Sequence, residues 1–506
     1  MSSSPVDKKQ WDSRWDNLPR EIRLLILQEV MQDDCPLAPL VTVSREWQTD
    51  IERHNFARIR LTPSRLANFR AIIQRTRFLV GYIWFCLELD EYDCTTCTLS
   101  PGRTNSDEFE EAFAISGTDK CPITASFQNL FSILSEWEPH GDLTLDISIY
   151  SLSDSKHWFP YLTFFPDTPS DVPDNHTIKK AMANQDYHDP EHGWLHGSRH
   201  LASPPWGLRK LFHLIMEQGP FDSDDEELEW WDKLPLAPAV TSLLLRQQSR
   251  RRWKPESLAH MFSRLPRLQE VHYEPWREWN NPTQKSTDKD YQILLDPIRR
   301  SNHSLKRLVI FENFNQQYPA NMRRRELLEG EYVGTHALRK PIRDIGQMIA
   351  LTSLSLEHLA ASYIADASHF FEARLDFAWP TLKSLALTAK ILAPHEDSTG
   401  IEALLLAAAA AAKNMPQLET MEILNGRKGL AGLLRYQAFR PKREAVLLWR
   451  GTWNLAMDSS VIHAWEAVTH QYDILRLRVA EEKLDEVDIK SHGDAIQHLR
   501  LSSRVI

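Results

Sequence analysis

Cysteine is scarce, at five in 506 residues and an odd number. That count fits a reducing compartment without a disulfide framework. Apolar runs of bilayer length are missing as well. The longest, IEALLLAAAAAA at 401–412, carries Glu402 and reads as a buried helix, because alanine is the best helix former. Residues 1–14, MSSSPVDKKQWDSR, hold no apolar core segment, so they read as a disordered lead rather than a secretory signal. The expected setting is the cytoplasm, the nucleus or both, with no membrane partner. Positive charge is not in excess, since the net charge is −10. Phosphate binding runs on clustered Lys and Arg, so nucleic acid is not expected as a partner. The runs RRR at 250–252 and 323–325 read as solvated faces or loops, and DSDDEELE at 222–229 as an exposed loop leading to Trp230 and Trp231.

Motifs that would carry covalent chemistry are also absent. There is no GxGxxG, no GxxxxGK followed by Ser or Thr, no GxSxG and no HExxH. GRKGLAG at 426–432 spaces its glycines wrongly for a phosphate loop. Cys94-Thr-Thr-Cys97 is half of a zinc spacing without a second pair, and reads otherwise as a loop with reduced thiols. His188, His192, His196 and His200 recur every four residues, which would make one metal-binding face on a helix. Pro190, Gly193 and Gly197 argue against that helix and for a solvated loop. No catalytic residue, metal or cofactor is assigned.

What is present is a globular balance, with 42% apolar and 25% charged residues, and 17 Trp with 20 Phe to fill a core. The front end, WDNLPREIRLLILQEV at 15–30, reads as a helix with Pro19 in its first turn and Asp16 and Asn17 before it. Ile22, Ile26 and Val30, with Leu25 beside them, make an apolar stripe, while Leu24 and Leu27 fall to its side. A helix apolar on two sides needs two partners. DDCPLAPL breaks it, a short helix is expected near Leu40–Val43, and Ser44 caps a third from Arg45 with Trp47 and Ile51 at i, i+4. Three helices of this size bury little alone, so the unit is marginal unless docked. The plainer reading is a small helical cap on a larger domain.

These residues resemble the F-box. Leu18, Pro19, Glu21 and Ile22, then Ile26 and Leu27, then Val43, Ser44, Arg45 and Trp47 match its pattern over residues 15–56. The Pro-rich linker QDDCPLAP departs from it. The continuation NFARIRLTPSRLANF and YIWFCLELDEYDC is similar to a large group of filamentous-fungal F-box proteins. The resemblance implies a substrate-recognition subunit of an SCF-type ubiquitin ligase. Leu18, Pro19, Ile22, Ile26, Leu27, Val43 and Trp47 would form or support the contact with a Skp-family adaptor, which bridges to cullin and RING subunits. Such a subunit does no covalent chemistry itself. The alternative is a non-catalytic repeat scaffold or sensor whose degenerate F-box joins no ligase.

In residues 57–506 the fragment LxxLxL, with Val or Met tolerated, recurs six times: VTSLLL at 240, LQEVHY at 268, LKRLVI at 305, LTSLSL at 351, LKSLAL at 382 and LETMEI at 418. Helix-like stretches lie between them. Alternating strands and single helices predict an α/β fold with a parallel sheet. A Leu-rich strand in each unit predicts an irregular leucine-rich-repeat-like solenoid. VGYIWF at 80–85 and DLTLDISIY at 142–150 read as earlier members, AVLLWRG and ILRLRVA as closing ones. A doubly wound sheet is the competing architecture. Residues 166–207, rich in Pro, Asp, Gly and His, read as a long inserted loop. On the concave face the outward positions include Arg246, Glu270, His272, Arg307, Phe311, Glu357 and Glu422, a mixture suited to a target protein rather than a small metabolite.

Overall fold

The computed structural model describes residues 15–32, 37–91, 121–139, 141–154, 188–201 without 197, 214–216, 220–301 without 248, 250, 279 and 280, 304–314, 323, 327, 341–372 and 378–503. The expected disorder at 1–14, the Cys94/Cys97 pair and most of the loop at 166–207 lie outside the described residues.

The fold is α/β around one twelve-stranded, mostly parallel sheet. Its strands are β1 (Arg58–Leu61), β2 (Tyr82–Leu89), β3 (Leu143–Ser151), β6 (Val240–Leu245), β7 (Glu270–Tyr273), β8 (Arg307–Phe311), β9 (His358–Ser362), β10 (Ser384–Thr388), β11 (Thr420–Arg427), β12 (Leu430–Phe439), β13 (Glu444–Gly451) and β14 (Arg476–Lys483). Two short strands, β4 (Trp194–Leu195) and β5 (Ser198–Arg199), make a separate hairpin. In the large sheet every strand lies beside its neighbours in chain order, and β12 alone runs antiparallel to both of its neighbours. A doubly wound sheet reverses its strand order at a switch point, and none occurs among the described strands. Of the glycines of GRKGLAG, Gly429 stands in the tight link between β11 and β12 at φ +73°, and Gly426 and Gly432 lie within the two strands.

The helices are α1 (Arg20–Gln32), α2 (Leu37–Leu40), α3 (Arg45–Ala57), α4 (Pro63–Ile73), α5 (Pro122–Leu134), α6 (Asp224–Lys233), α7 (Pro255–Ser263), α8 (Asn281–Ser301), α9 (Arg343–Thr352), α10 (Ala367–Phe371), α11 (Ser398–Ala412), α12 (Ser459–Gln471) and α13 (His492–Leu499). From α6 to α12 successive helices touch side by side, and they share one continuous core with one face of the sheet. Leu359 and Ala361, Leu385 and Leu387, Met421 and Ile423 point into it from alternate strand positions. The alanine-rich run is α11, capped by Asp397, whose side chain accepts from the Thr399 N–H. Among the described residues no helix is long and apolar enough to cross a membrane.

The fragments at 240, 268, 305, 382 and 418 contain strands β6, β7, β8, β10 and β11, as expected. The fragment at 351–356 does not, because it is the end of α9 and a 3-10 turn. The strand there is β9, whose leucine spacing restarts at Leu356 and Leu359. The runs taken for loops are also more ordered than composition implied. Arg251 pairs with buried Asp154 at 3.0 Å, and Arg252 is buried against Glu278. DSDDEELE supplies the first turns of α6, where acidic side chains favour the positive end of the helix dipole. Its Glu227 is buried and accepts from Trp231 Nε1 at 3.1 Å.

Candidate protein-docking site

The described residues of 15–57 include the three helices α1, α2 and α3. The Ser44 side chain accepts from the Trp47 N–H at 3.3 Å and starts α3. Leu27 of α1 and Ile51 of α3 are buried, and burying one such side chain is worth about 1.5–3 kcal/mol. Trp15 lies against Trp47 with ring centroids 5.2 Å apart. Trp15 Nε1 and Arg23 Nη1 both donate to Glu46, at 3.0 and 2.9 Å, and tie the entry of α1 to α3. The unit is docked on the sheet, because α3 runs directly into β1, Arg75 pairs with Glu52, and Gly81 N–H donates to Ala57 C=O at 3.1 Å.

The side of α1 away from this core is bare. Leu18, Ile22, Leu25, Ile26 and Val43 are exposed, from 37% at Leu18 to 59% at Val43. Ile22, Leu25 and Ile26 stand at i, i+3, i+4 and Leu18 one turn earlier, so α1 carries one apolar strip. Grouped exposed apolar side chains mark an interaction surface more often than scattered ones do. Of the motif residues, Leu18, Pro19, Ile22, Ile26 and Val43 are exposed, Trp47 is half-buried and Leu27 faces inward. Leu25 joins the surface although the motif does not name it.

The second surface is the sheet face opposite the long helices. Register pairs run one row of side chains across it: Trp84, Asp146, Leu244, His272, Val309, Ala360, Ala386, Glu422 and Arg435. Small residues at its centre make a trough. Segment 491–503 lies in that trough and packs Ile496 and Leu501 on Val309, Ala360 and Ala386. A methyl group on Gly426 would stand 2.6 Å from Ala495 Cβ, so α13 approaches the sheet as closely as glycine allows.

This segment covers two of the expected target-binding residues, Glu422 and Phe311. Glu422 is fully buried, accepts from Arg435 Nε at 2.7 Å, and accepts from the Ser502 and Ser503 N–H groups at 2.7 and 2.8 Å. Phe311 is buried beside the His492 ring, and Arg246 and His272 are buried as well. Arg246 lies 2.7 Å from Asp146. Only Glu270, Arg307 and Glu357 keep partial exposure, with Arg307 on Glu270 at 3.0 Å and Lys383 on Glu357 at 2.7 Å. The Lys383 ammonium holds the Glu357 carboxyl below its ordinary range. The face read as open is therefore roofed at its centre by the chain's own segment 491–503. Sequence reasoning missed this, since SHGDAIQHLRLSS shows a short amphipathic helix but not the sheet face it meets.

His492 is the segment's anchor. Its ring lies 4.2 Å from that of Phe314, and Tyr363 meets it edge-on. Its Nε2 donates to Asn313 Oδ1 at 2.7 Å. Burial pushes the imidazole down to about 4, although Asp494 pulls the other way. Tyr363, at φ +63°, is strained, and Thr388 Oγ1 holds its N–H at 2.8 Å. Beside it a cleft at the carboxyl ends of β8 to β11 is lined by Glu312, Phe314, Tyr363, Asp366, Lys390 and Asn425.

The histidines at 188–200 do not share a helix face. Asp189 caps a 3-10 turn by accepting from the His192 N–H at 3.2 Å and also meets His192 Nδ1 at 2.7 Å, while His188 and His196 lie with rings 5.1 Å apart beside the β4–β5 hairpin. Among the described residues no group of His, Cys, Asp or Glu is arranged to hold a metal ion. Cys86 and Cys121 are buried free thiols, and burial pushes the Cys86 thiol up to about 11.

A family model described as a family of unknown function (DUF6546) matches residues 300–506. The stretch takes in β8 to β14 and α13, and residues 15–57 lie outside it. No curated protein matches the chain.

Proposed function

We propose that this chain is an F-box-type receptor subunit of an SCF-type ubiquitin ligase. Residues 15–56 dock on a Skp-family adaptor, and the adaptor links them to cullin and RING subunits. The observation that carries this reading is the division of α1. Leu27 fills the unit's own core, while Leu18, Ile22, Leu25 and Ile26, with Val43 nearby in sequence, are left exposed. An apolar strip of that kind costs solubility unless something covers it. The motif residues Ile22 and Ile26 fall on that bare side, and Leu18, Pro19 and Val43 are exposed as well.

The body is an irregular leucine-rich-repeat-like solenoid that holds a target protein. Strand order that follows chain order, with single helices on one face, supports the repeat reading. Glu270, Arg307 and Glu357 are the accessible members of the target-facing set. The receptor acts by holding its target beside the charged conjugating enzyme, which raises effective concentration without lowering an intrinsic barrier. Replacing Leu18 and Pro19 together by Ala tests the docking. Co-purification with the adaptor is expected to be lost, and unchanged co-purification refutes the assignment.

A further inference from the structure

The trough on the sheet face has the build of a peptide-binding groove. Several of its grips act on backbone, beside the side-chain contacts of His492 with Asn313 and of Ser503 with Ser384. Glu422 takes two successive N–H groups of the seated segment, Arg435 donates to the Arg500 carbonyl, and Arg450 Nη1 donates to the Leu499 carbonyl at 2.5 Å. Such grips hold a backbone that turns out of a helix as Leu499 and Arg500 do and presents the same donors and acceptors. Apolar specificity comes from the floor of Val309, Ala360 and Ala386, and from the notch at Gly426 that admits only a small side chain.

The groove is also self-consistent when empty. Glu422 and Arg435 pair with each other at 2.7 Å, and Arg450 pairs with Glu482 on β14 at 2.6 Å. Neither carboxylate is left without a cation if the segment departs. The apolar contacts of 491–503 belong to small clusters separate from the main core, which lies on the other face of the sheet. Departure of the segment therefore exposes little of what holds the sheet to its helices.

We infer that residues 491–503 occupy in cis a groove over β8 to β12 that receives a segment of the target protein in trans. The accepted segment has the same build: a short helix with a small residue at the Ala495 position and an apolar one at the Ile496 position. It then leaves as extended backbone with an apolar residue and two small hydroxyl residues, as Leu501, Ser502 and Ser503 do. The inference rests on the reading of the body as a target receptor.

Ala495→Arg in the full chain puts a long side chain into the notch and leaves the groove residues untouched. The probe is a fluorescent synthetic peptide of residues 489–506. The Ala495→Arg chain is expected to bind it saturably and at least ten-fold more tightly than the unsubstituted chain, whose groove is filled. Adding Glu422→Gln to the Ala495→Arg chain is expected to weaken the peptide at least ten-fold. Equal binding by the substituted and unsubstituted chains overturns the inference. So does loss of the cooperative melt in Ala495→Arg, which makes the segment an obligate part of the fold. Hydrogen exchange on the unsubstituted chain is the independent check. The Ser502 and Ser503 amides are expected to exchange at least ten-fold faster than those of β10, and equal protection overturns a removable segment. Adaptor binding measured on the same samples keeps the two proposals apart, because it tests the amino-terminal docking alone.

Discussion

A single helix turn carries two opposite duties. Leu27 is buried, and its neighbour Ile26 is exposed. Leu27→Ala deletes core volume and is expected to cost about 2–5 kcal/mol. Ile22→Ala and Ile26→Ala trim side chains that are 42% and 38% exposed and are expected to cost less than Leu27→Ala, about 1 kcal/mol. Chemical denaturation of the three variants checks this, and equal losses would mean that the strip is not free. The motif positions were readable from WDNLPREIRLLILQEV because Pro19, the spacing of Ile22 and Ile26, and the Ser44 cap are local signals. The inward turn of Leu27 was not, since a helix apolar on two sides does not say which side faces home. That depends on where α3 brings Ile51. The fate of Glu422 was hidden for a similar reason. Its outward position on β11 follows from strand alternation, but the cover over it comes from about 80 residues further on.

At the scale of elements, the strands were the readable part. Leucines at the spacing of LxxLxL, followed by helical stretches, locate β6, β7, β8, β10 and β11. The same spacing misleads at 351–356, because a helix end followed by a turn also presents Leu every two to three residues. The element that sequence could not place is α13, whose short apolar pattern fits any exposed sheet face. Its anchor makes a pH prediction. The His492 imidazole sits at about 4 when buried, against an ordinary 6.5. The freed form binds a proton between those values and the seated form does not. The seated form thus has its full advantage above pH 6.5 and loses it as pH falls toward 4. Exchange of the 492–503 amides, corrected for intrinsic rates, is expected to speed by up to about ten-fold per pH unit in that window. His492→Gln is expected to flatten the dependence, and an unaltered slope in that variant would assign the titration elsewhere.

For the whole molecule, a twelve-stranded sheet with helices on one face leaves the other face to be managed. An open face of that length presents apolar and polar rows to water, and here segment 491–503 covers its centre. The amino-terminal unit extends from the opposite end of the chain, joined through α3 and β1. One end thus offers an exposed apolar strip, and the other covers the centre of the sheet face. The most direct test is a titration of the purified full-length chain, and of its Ile22→Glu/Ile26→Glu double variant, against a Skp-family adaptor. Both proteins are expected to melt alike, with the unsubstituted chain binding one adaptor per chain and the double variant binding at least about 100-fold more weakly, as two charges in a desolvated contact require. Absence of binding by the unsubstituted chain, or equal binding by the two, would contradict the account.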